Sequence, residues 1–273
     1  MIGRGLSTVA EVAEAVVSRT PLAQSSGDLL SDRSHRPWPV PDEPWLQAQT
    51  WEDLLFAHWP VPVEALRPLV PPQLPIDVYD GSAWLGVTPF VVRGLRARGT
   101  LPVPGLSSFP ETNVRTYTTV GDKPGIWFFS LDADSNVAVR AARRGYRLPY
   151  FHSKIDVQRA AGRVRYSLER RSPEAPPAGL RALYWPIGEM YQASPGSLEH
   201  FLAERYCLYT VDEQQRILRG EIHHPPWPLQ RAEASMPVNT MALELGLELS
   251  DPPPVLHFAR RQQVLIWPLR ETA

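Results

Sequence analysis

The sequence predicts an α+β fold that is mostly β: a large antiparallel, barrel-like sheet system carrying two or three short helices. Three observations point there. Thirty of the 273 residues are proline, and each one removes a backbone donor and fixes φ, which long helices do not tolerate. Apolar, aromatic runs such as GSAWLGVTPFVV (81–92) and GIWFFSLDA (125–133) are short and bounded by glycine, as buried strands are. Helical periodicity is confined to brief windows.

Taken in order, residues 1–45 read as a flexible extension. STVAEVAEAVVSR (7–19) has the spacing of a short amphipathic helix capped by Ser7 or Thr8. Glu11 and Glu14 sit where a secretory signal or a mitochondrial presequence would exclude acids. SSGDLLSDRSHRPWPVPDEP (25–44) is polar and proline-rich, so it reads as a mobile lead-in. Residues 46–270 then form a single domain. WEDLLFAHWPV (51–61) is its opening strand, and PVEALRPLVP (62–71) is one short helix stopped by Pro71 and Pro72. A second helix spans NVAVRAARRG (136–145), capped by Asp134 or Ser135 and closed by Gly145. A third spans GSLEHFLAERY (196–206), with Ser197 as cap. RVRYSLERR (163–171), ILRGEIH (217–223) and QQVLIWPL (262–269) read as strands separated by turns.

The bulk numbers narrow the partners. A net charge of -1 gives no electrostatic footprint for nucleic acid or an anionic membrane surface. No run approaches the roughly 20 apolar residues of a membrane helix. The lone Cys207 excludes an intramolecular disulfide and fits a reducing, cytoplasmic setting. None of the seven histidines falls in an HxxxH or HExxH spacing, so no metal site is expected from local pattern, and no P-loop, GxGxxG or GxSxG is present. The expectation is no cofactor.

Two strands carry polar faces with chemical potential. In SFPETNVRTYTTV (108–120), alternation places Glu111, Asn113, Arg115, Tyr117 and Thr119 on one side and Val114, Thr116, Thr118 and Val120 on the other. A carboxylate, an amide, a guanidinium and a phenol in a row make either a solvated face or the polar wall of a pocket. In LPYFHSKIDV (148–157), Tyr150, His152, Lys154 and Asp156 share a face. Lys154 is one of only two lysines, the other being Lys123 in the turn GDKPG. A lysine attacks a carbonyl only when burial or a neighbouring cation depresses its pKa.

Several segments together resemble the YqjF-like family of uncharacterised conserved proteins: WEDLLFAHWPV (51–61), LRPLVPPQLPIDVYDGSAWLGVTPF (66–90), PVPGLSSFPETNVRTY (102–117), GIWFFSLDADS (125–135), LPYF (148–151), LEHFLAERYCLYT (198–210) and HHPPWPLQ (223–230). That resemblance covers about residues 45–268 and brings no known activity. EALRPLVPPQLPID (64–77), FPETNVRTYTTV (109–120) and AVRAARRGYRLPYF (138–151) are in turn distantly similar to acetoacetate decarboxylase. This second resemblance implies an acetoacetate-decarboxylase-like fold, a pocket carboxylate at Glu111 and a Schiff-base lysine after Pro149. Tyr150 and Phe151 stand where the paired lysines of that enzyme belong, and Lys154 follows three positions late.

The expected function is therefore a small-molecule pocket for an anionic, carboxylate-type ligand. Arg115 would hold the head group beside Asn113, Tyr117, Tyr150 and His152, and Trp84 and Trp127 would form the apolar wall. One alternative is a lyase of the decarboxylase, dehydratase or aldolase kind acting on a keto acid, with Lys154 as the Schiff-base amine and Glu111 as acid/base. Another is a non-enzymatic interaction protein presenting segments such as HHPPWPLQ. Relatives of the decarboxylase form large oligomers, which makes a homo-oligomer a further expectation.

Overall fold

The computed structural model describes residues 29–272; the helix expected over 7–19 lies outside them. The short hydrophobic runs form eleven strands in a single sheet system, with three short helices between them. The strands are β1 (Gln47–Val61), β2 (Ala83–Ala97), β3 (Phe109–Val120), β4 (Lys123–Ala133), β5 (Tyr150–Ala160) and β6 (Arg163–Arg170), then β7 (Gly179–Tyr191), β8 (Cys207–Val211), β9 (Ile217–His223), β10 (Leu229–Asn239) and β11 (Val255–Glu271). The helices are α1 (Val63–Leu66), α2 (Asn136–Tyr146) and α3 (Leu198–Ala203).

The sheet closes on itself twice, because β4 and β11 each change partners along their length. β4 pairs with β8 at Ile126 and Trp127 and with β5 from Leu131 to Ala133. β11 pairs with β1 over Val255–Ile266, with β10 at Leu229↔Ala259 to Arg231↔His257, and with β9 from Leu265 onward. One ring runs β1-β2-β3-β4-β8-β9-β11 and returns to β1; the other leaves β4 through β5, β6, β7 and β10 and rejoins at β11. Both β4–β5 and β4–β8 are parallel, a departure from the antiparallel system expected from the sequence. The β4–β5 crossover is made by α2, as parallel neighbours require a long connection.

The two faces of β1–β4 serve different interiors. Leu55, Ala57, Trp59, Leu85, Val87 and Val114 pack with Tyr166, Leu168, Leu180 and Tyr184 of the second ring in the largest core. The alternate residues, including Leu54, Phe56 and Phe90 with Glu111 and Arg115, point into the first ring. Of the expected lead-in, residues 29–45 lie against the sheet: Arg36 and Trp38 are buried and both donate to Glu221 of β9, and Leu29, Leu30 and Val40 pack by Ala48, Leu265 and Trp267. Indole and guanidinium groups give a polar, proline-rich segment enough contact area to dock.

Three helix ends differ from the sequence expectation. The helix expected over 62–71 is α-helical only at Val63–Leu66, because Pro68 has no amide hydrogen to continue the ladder, and the chain goes on as a 3-10 turn at Arg67–Leu69. Ser135 caps α2 by accepting from the Ala138 amide, but the helix continues past Gly145 to Tyr146 and is ended by Arg147 at φ 52°. Tyr146 is buried in a cluster with Leu148 and Ile266, which holds the extra turn down. α3 stops at Ala203 rather than Tyr206, because the Glu204 carboxylate leaves the helix to accept from the Trp227 amide at 2.9 Å and the Tyr206 hydroxyl at 2.6 Å.

Candidate functional site

Inside the first ring lies a cavity of about 310 Å³. β3 supplies its most polar wall. Glu111, Asn113 and Arg115, the alternate residues of one face, all line it and all are buried. The polar face of β3 is thus turned inward, and Val114 on the opposite face packs into the main core. Tyr117, next on the same face, lies behind the cavity, where its hydroxyl is 2.6 Å from His58 Nε2. Burial pushes the His58 imidazole well below its ordinary range, and it pushes the Tyr117 phenol up. His58 also explains Gly86, where a Cβ would lie 3.0 Å from its Nε2.

Arg115 is 6 % exposed and has no carboxylate within 4 Å among the described residues; its Nε has no partner. One terminal nitrogen donates to the Leu202 carbonyl at 3.3 Å, and the guanidinium lies 5.2 Å from the Phe56 ring centre and 5.7 Å from that of Tyr117. The other three buried arginines are all ion-paired: Arg36 with Glu221, Arg170 with Asp132 and Glu244, and Arg205 with Asp77. Arg205 also reaches the cavity wall, as does His224, whose Nδ1 and Nε2 lie 2.7 and 3.3 Å from the carbonyls of Pro225 and Arg205.

Glu111 has the opposite character. Its carboxyl is buried in an apolar surround, which pushes its pKa up to about 8, against the lowering effect of a hydrogen bond from Tyr150; nearby Asp132 raises it further. The Tyr150 hydroxyl is 3.3 Å from each Glu111 oxygen. At neutral pH Glu111 is therefore mainly uncharged, a hydrogen-bond donor rather than a counter-ion for Arg115. On a regular strand the two residues are roughly 13 Å apart.

The expectation that Tyr150, His152 and Lys154 look into one cleft holds only for Tyr150. β5 pairs with β4 for three residues and then swings to β6, so its face passes from the cavity to solvent within one turn of the pleat. Lys154 is exposed, opposite Glu169 of β6, and His152 is half-buried outside the cavity. Ser153 and Ile155 take the inward side, the hydroxyl of Ser153 donating to Asp132 at 2.7 Å. Lys123 is 3.9 Å from Glu221, so neither lysine lines the cavity. Trp84 is buried near Tyr79 and Trp127 packs beside Cys207 and Tyr209; neither is a cavity wall.

The aromatic wall comes from Trp51 and Trp227, stacked at 5.9 Å and 18°, with Phe90 tilted against Trp51. Sequence inspection assigns Trp51 to a strand and Trp227 to HHPPWPLQ, without showing that they meet. His223, His224 and Trp227 in that segment are buried, so its large rings are not presented to solvent. Among the described residues no three His, Cys, Asp or Glu side chains gather as a metal-holding group, and no helix is long and apolar enough to cross a membrane.

A sequence model of the family described as "Uncharacterized conserved protein" matches residues 48–263. The chain is 45% identical over 232 residues to the uncharacterized protein YqjF of Bacillus subtilis (strain 168), covering 85% of this chain and 95% of that one. Among solved structures, the enduracididine biosynthesis enzyme MppR complexed with pyruvate aligns with TM-score 0.59 at 13% identity, over 87% of this chain and 93% of the other. An acetoacetate decarboxylase-like enzyme from Sphingomonas wittichii RW1 aligns with TM-score 0.55 at 14% identity, over 87% and 97%. Acetoacetate decarboxylase from Legionella pneumophila aligns with TM-score 0.53 at 14% identity, over 88% and 93%. The last two show that the chain has an acetoacetate-decarboxylase-like fold.

Proposed function

The chain belongs to this family of uncharacterised conserved proteins, and from the chemistry of its cavity we propose that it binds a small monocarboxylate, with Arg115 holding the head group. The observation that carries this is the contrast among the four buried arginines of the described residues: three have a carboxylate of their own, and Arg115 has none among those residues. A buried charge without a partner is strongly unfavourable. A ligand carboxylate would supply the missing partner in the planar, bidentate geometry that guanidinium favours. Neutral Glu111 would not repel it, and Trp51, Trp227 and Phe90 would cover the organic part.

Two consequences are measurable. Without ligand, Arg115→Met relieves an unpaired charge and is expected to leave the melting temperature equal to or above that of the wild type. Arg170→Met strands Asp132 and Glu244 and should cost about 3–5 kcal/mol. Calorimetric titration with butyrate and benzoate is expected to give binding that Arg115→Gln weakens at least about tenfold. Equal binding to the variant would overturn the assignment of Arg115.

Chemistry through a Schiff base would need an amine at the cavity. Lys154 and Lys123 both lie elsewhere, so incubation with pyruvate and borohydride is expected to leave the intact mass unchanged. A reduced adduct lost in Lys154→Ala would restore the lyase.

A further inference from the structure

The cavity has a direction. Arg115 and Arg205, with His224, Asn113 and Thr88, are buried and form its floor, and Glu111, also buried, lies roughly 13 Å from Arg115 along β3. The cavity's other end opens among Leu46, Ala141 and Gly145, which are exposed. The wall between is largely hydrocarbon and aromatic, including Trp51, Ile126, Phe128 and Leu131; its polar members are the hydrogen-bonded pair Glu111 and Tyr150 and, near the lip, Gln47 and Gln49.

α2 forms one side of that lip. Ala138, Ala141, Ala142 and Gly145 recur at i, i+3, i+4 and i+7 and line the cavity with small side chains, and Tyr146 closes the helix as its one large lining residue. A Cβ added at Gly145 would meet nothing within 4 Å, so the glycine leaves space rather than avoiding a clash. The independent pointer to a ligand is Arg115 on the floor, nine-tenths buried and with an unpartnered Nε. Outside the lip the apolar character continues. Val137 precedes the small-residue face, and the loop joining Ala97 to Phe109 exposes Leu101, Val103 and Leu106.

We infer that the ligand is a medium-chain monocarboxylic acid held head-down, its carboxylate at Arg115 and its hydrocarbon chain running past the small-residue face of α2 to the lip. This rests on the carboxylate reading above and adds the nature of the tail. A compact acid would fill the floor and leave the apolar shaft wet. A second negative charge on the tail would have no cation to pair with along the shaft.

The test is calorimetric titration at pH 7 with butyrate, hexanoate, octanoate and decanoate, against wild type, Arg115→Gln and Gly145→Phe. Affinity is expected to rise about three- to fourfold per added methylene up to octanoate. Gly145→Phe places a ring in the shaft without straining the helix, since phenylalanine has better helix propensity than glycine. It should lower octanoate affinity at least about tenfold while butyrate stays within about twofold, with the melting temperature confirming the fold. Arg115→Gln should weaken the whole series. Binding that depends on Arg115 but not on chain length would overturn the tail assignment and leave the carboxylate reading standing. Failure of every acid to bind, or equal binding to Arg115→Gln, would remove both.

Discussion

Glu111 is a carboxyl group whose ionisation the fold opposes. In the unfolded chain it titrates near 4.5, and in the cavity near 8. The folded state therefore holds a proton that the unfolded state gives up, and stability falls as pH rises between those values. The slope is about 1.4 kcal/mol per pH unit, and the loss is complete once pH passes the folded value. Glu111→Gln keeps the shape and removes the titration. Its melting temperature relative to wild type is expected to climb steadily from pH 5 to pH 8.5 and to level off beyond; a difference that does not vary with pH would refute the shifted pKa. At this scale the sequence was informative about β3, because period-two alternation put Glu111, Asn113, Arg115 and Tyr117 on one side and a single buried face keeps them there. It was uninformative about Lys154. Alternation says which residues share a face, but the cavity ends where β5 changes neighbours, and no residue of β5 announces that.

At the scale of elements, β4 depends on a missing side chain. Gly125 sits where β8 crosses, and a Cβ there would lie 2.6 Å from Tyr209 Cε2, 2.7 Å from Cys207 Sγ and 2.9 Å from the Cys207 carbonyl oxygen. The carbonyl belongs to the backbone of β8, so the clash is not relieved by a rotamer change alone. Gly125→Ala is expected to lose about 1–3 kcal/mol in urea unfolding through overpacking of the parallel β4–β8 contact. A neutral result would mean that the two strands are less tightly joined than their register implies. Most strands and all three helices were readable from glycine, proline and periodicity. The parallel pairings were not, because a strand alternates identically whichever way its neighbour runs. The true ends of α2 and α3 were also hidden. They are set by Tyr146 burying against Leu148 and by Glu204 finding Trp227 and Tyr206, contacts made across long stretches of chain.

For the molecule as a whole, the two rings share β1, β2, β3, β4 and β11. Those strands are paired on both edges, and β1–β4 are covered on both faces. Amide hydrogen exchange is expected to be slowest at the centres of β1 and β2 and faster in β5 and β6, where one face meets water. Uniform exchange across the sheet would argue against the double closure. The acetoacetate-decarboxylase-like architecture was legible because enough segments resembled it, but the double closure depends on β4 and β11 dividing their lengths between partners, which no local window records. That division also constrains how the protein is made. β11 is synthesised after β1, β9 and β10, the three strands it joins, so neither ring is sealed until translation reaches it. Until then β1 and β9 present unpaired edges, and the floor that holds Arg115 stands open to water. Nascent chains stalled before residue 255 should accordingly be the form most exposed to proteases and chaperones, while the finished chain gains its closed edges and its binding chamber in the same late step.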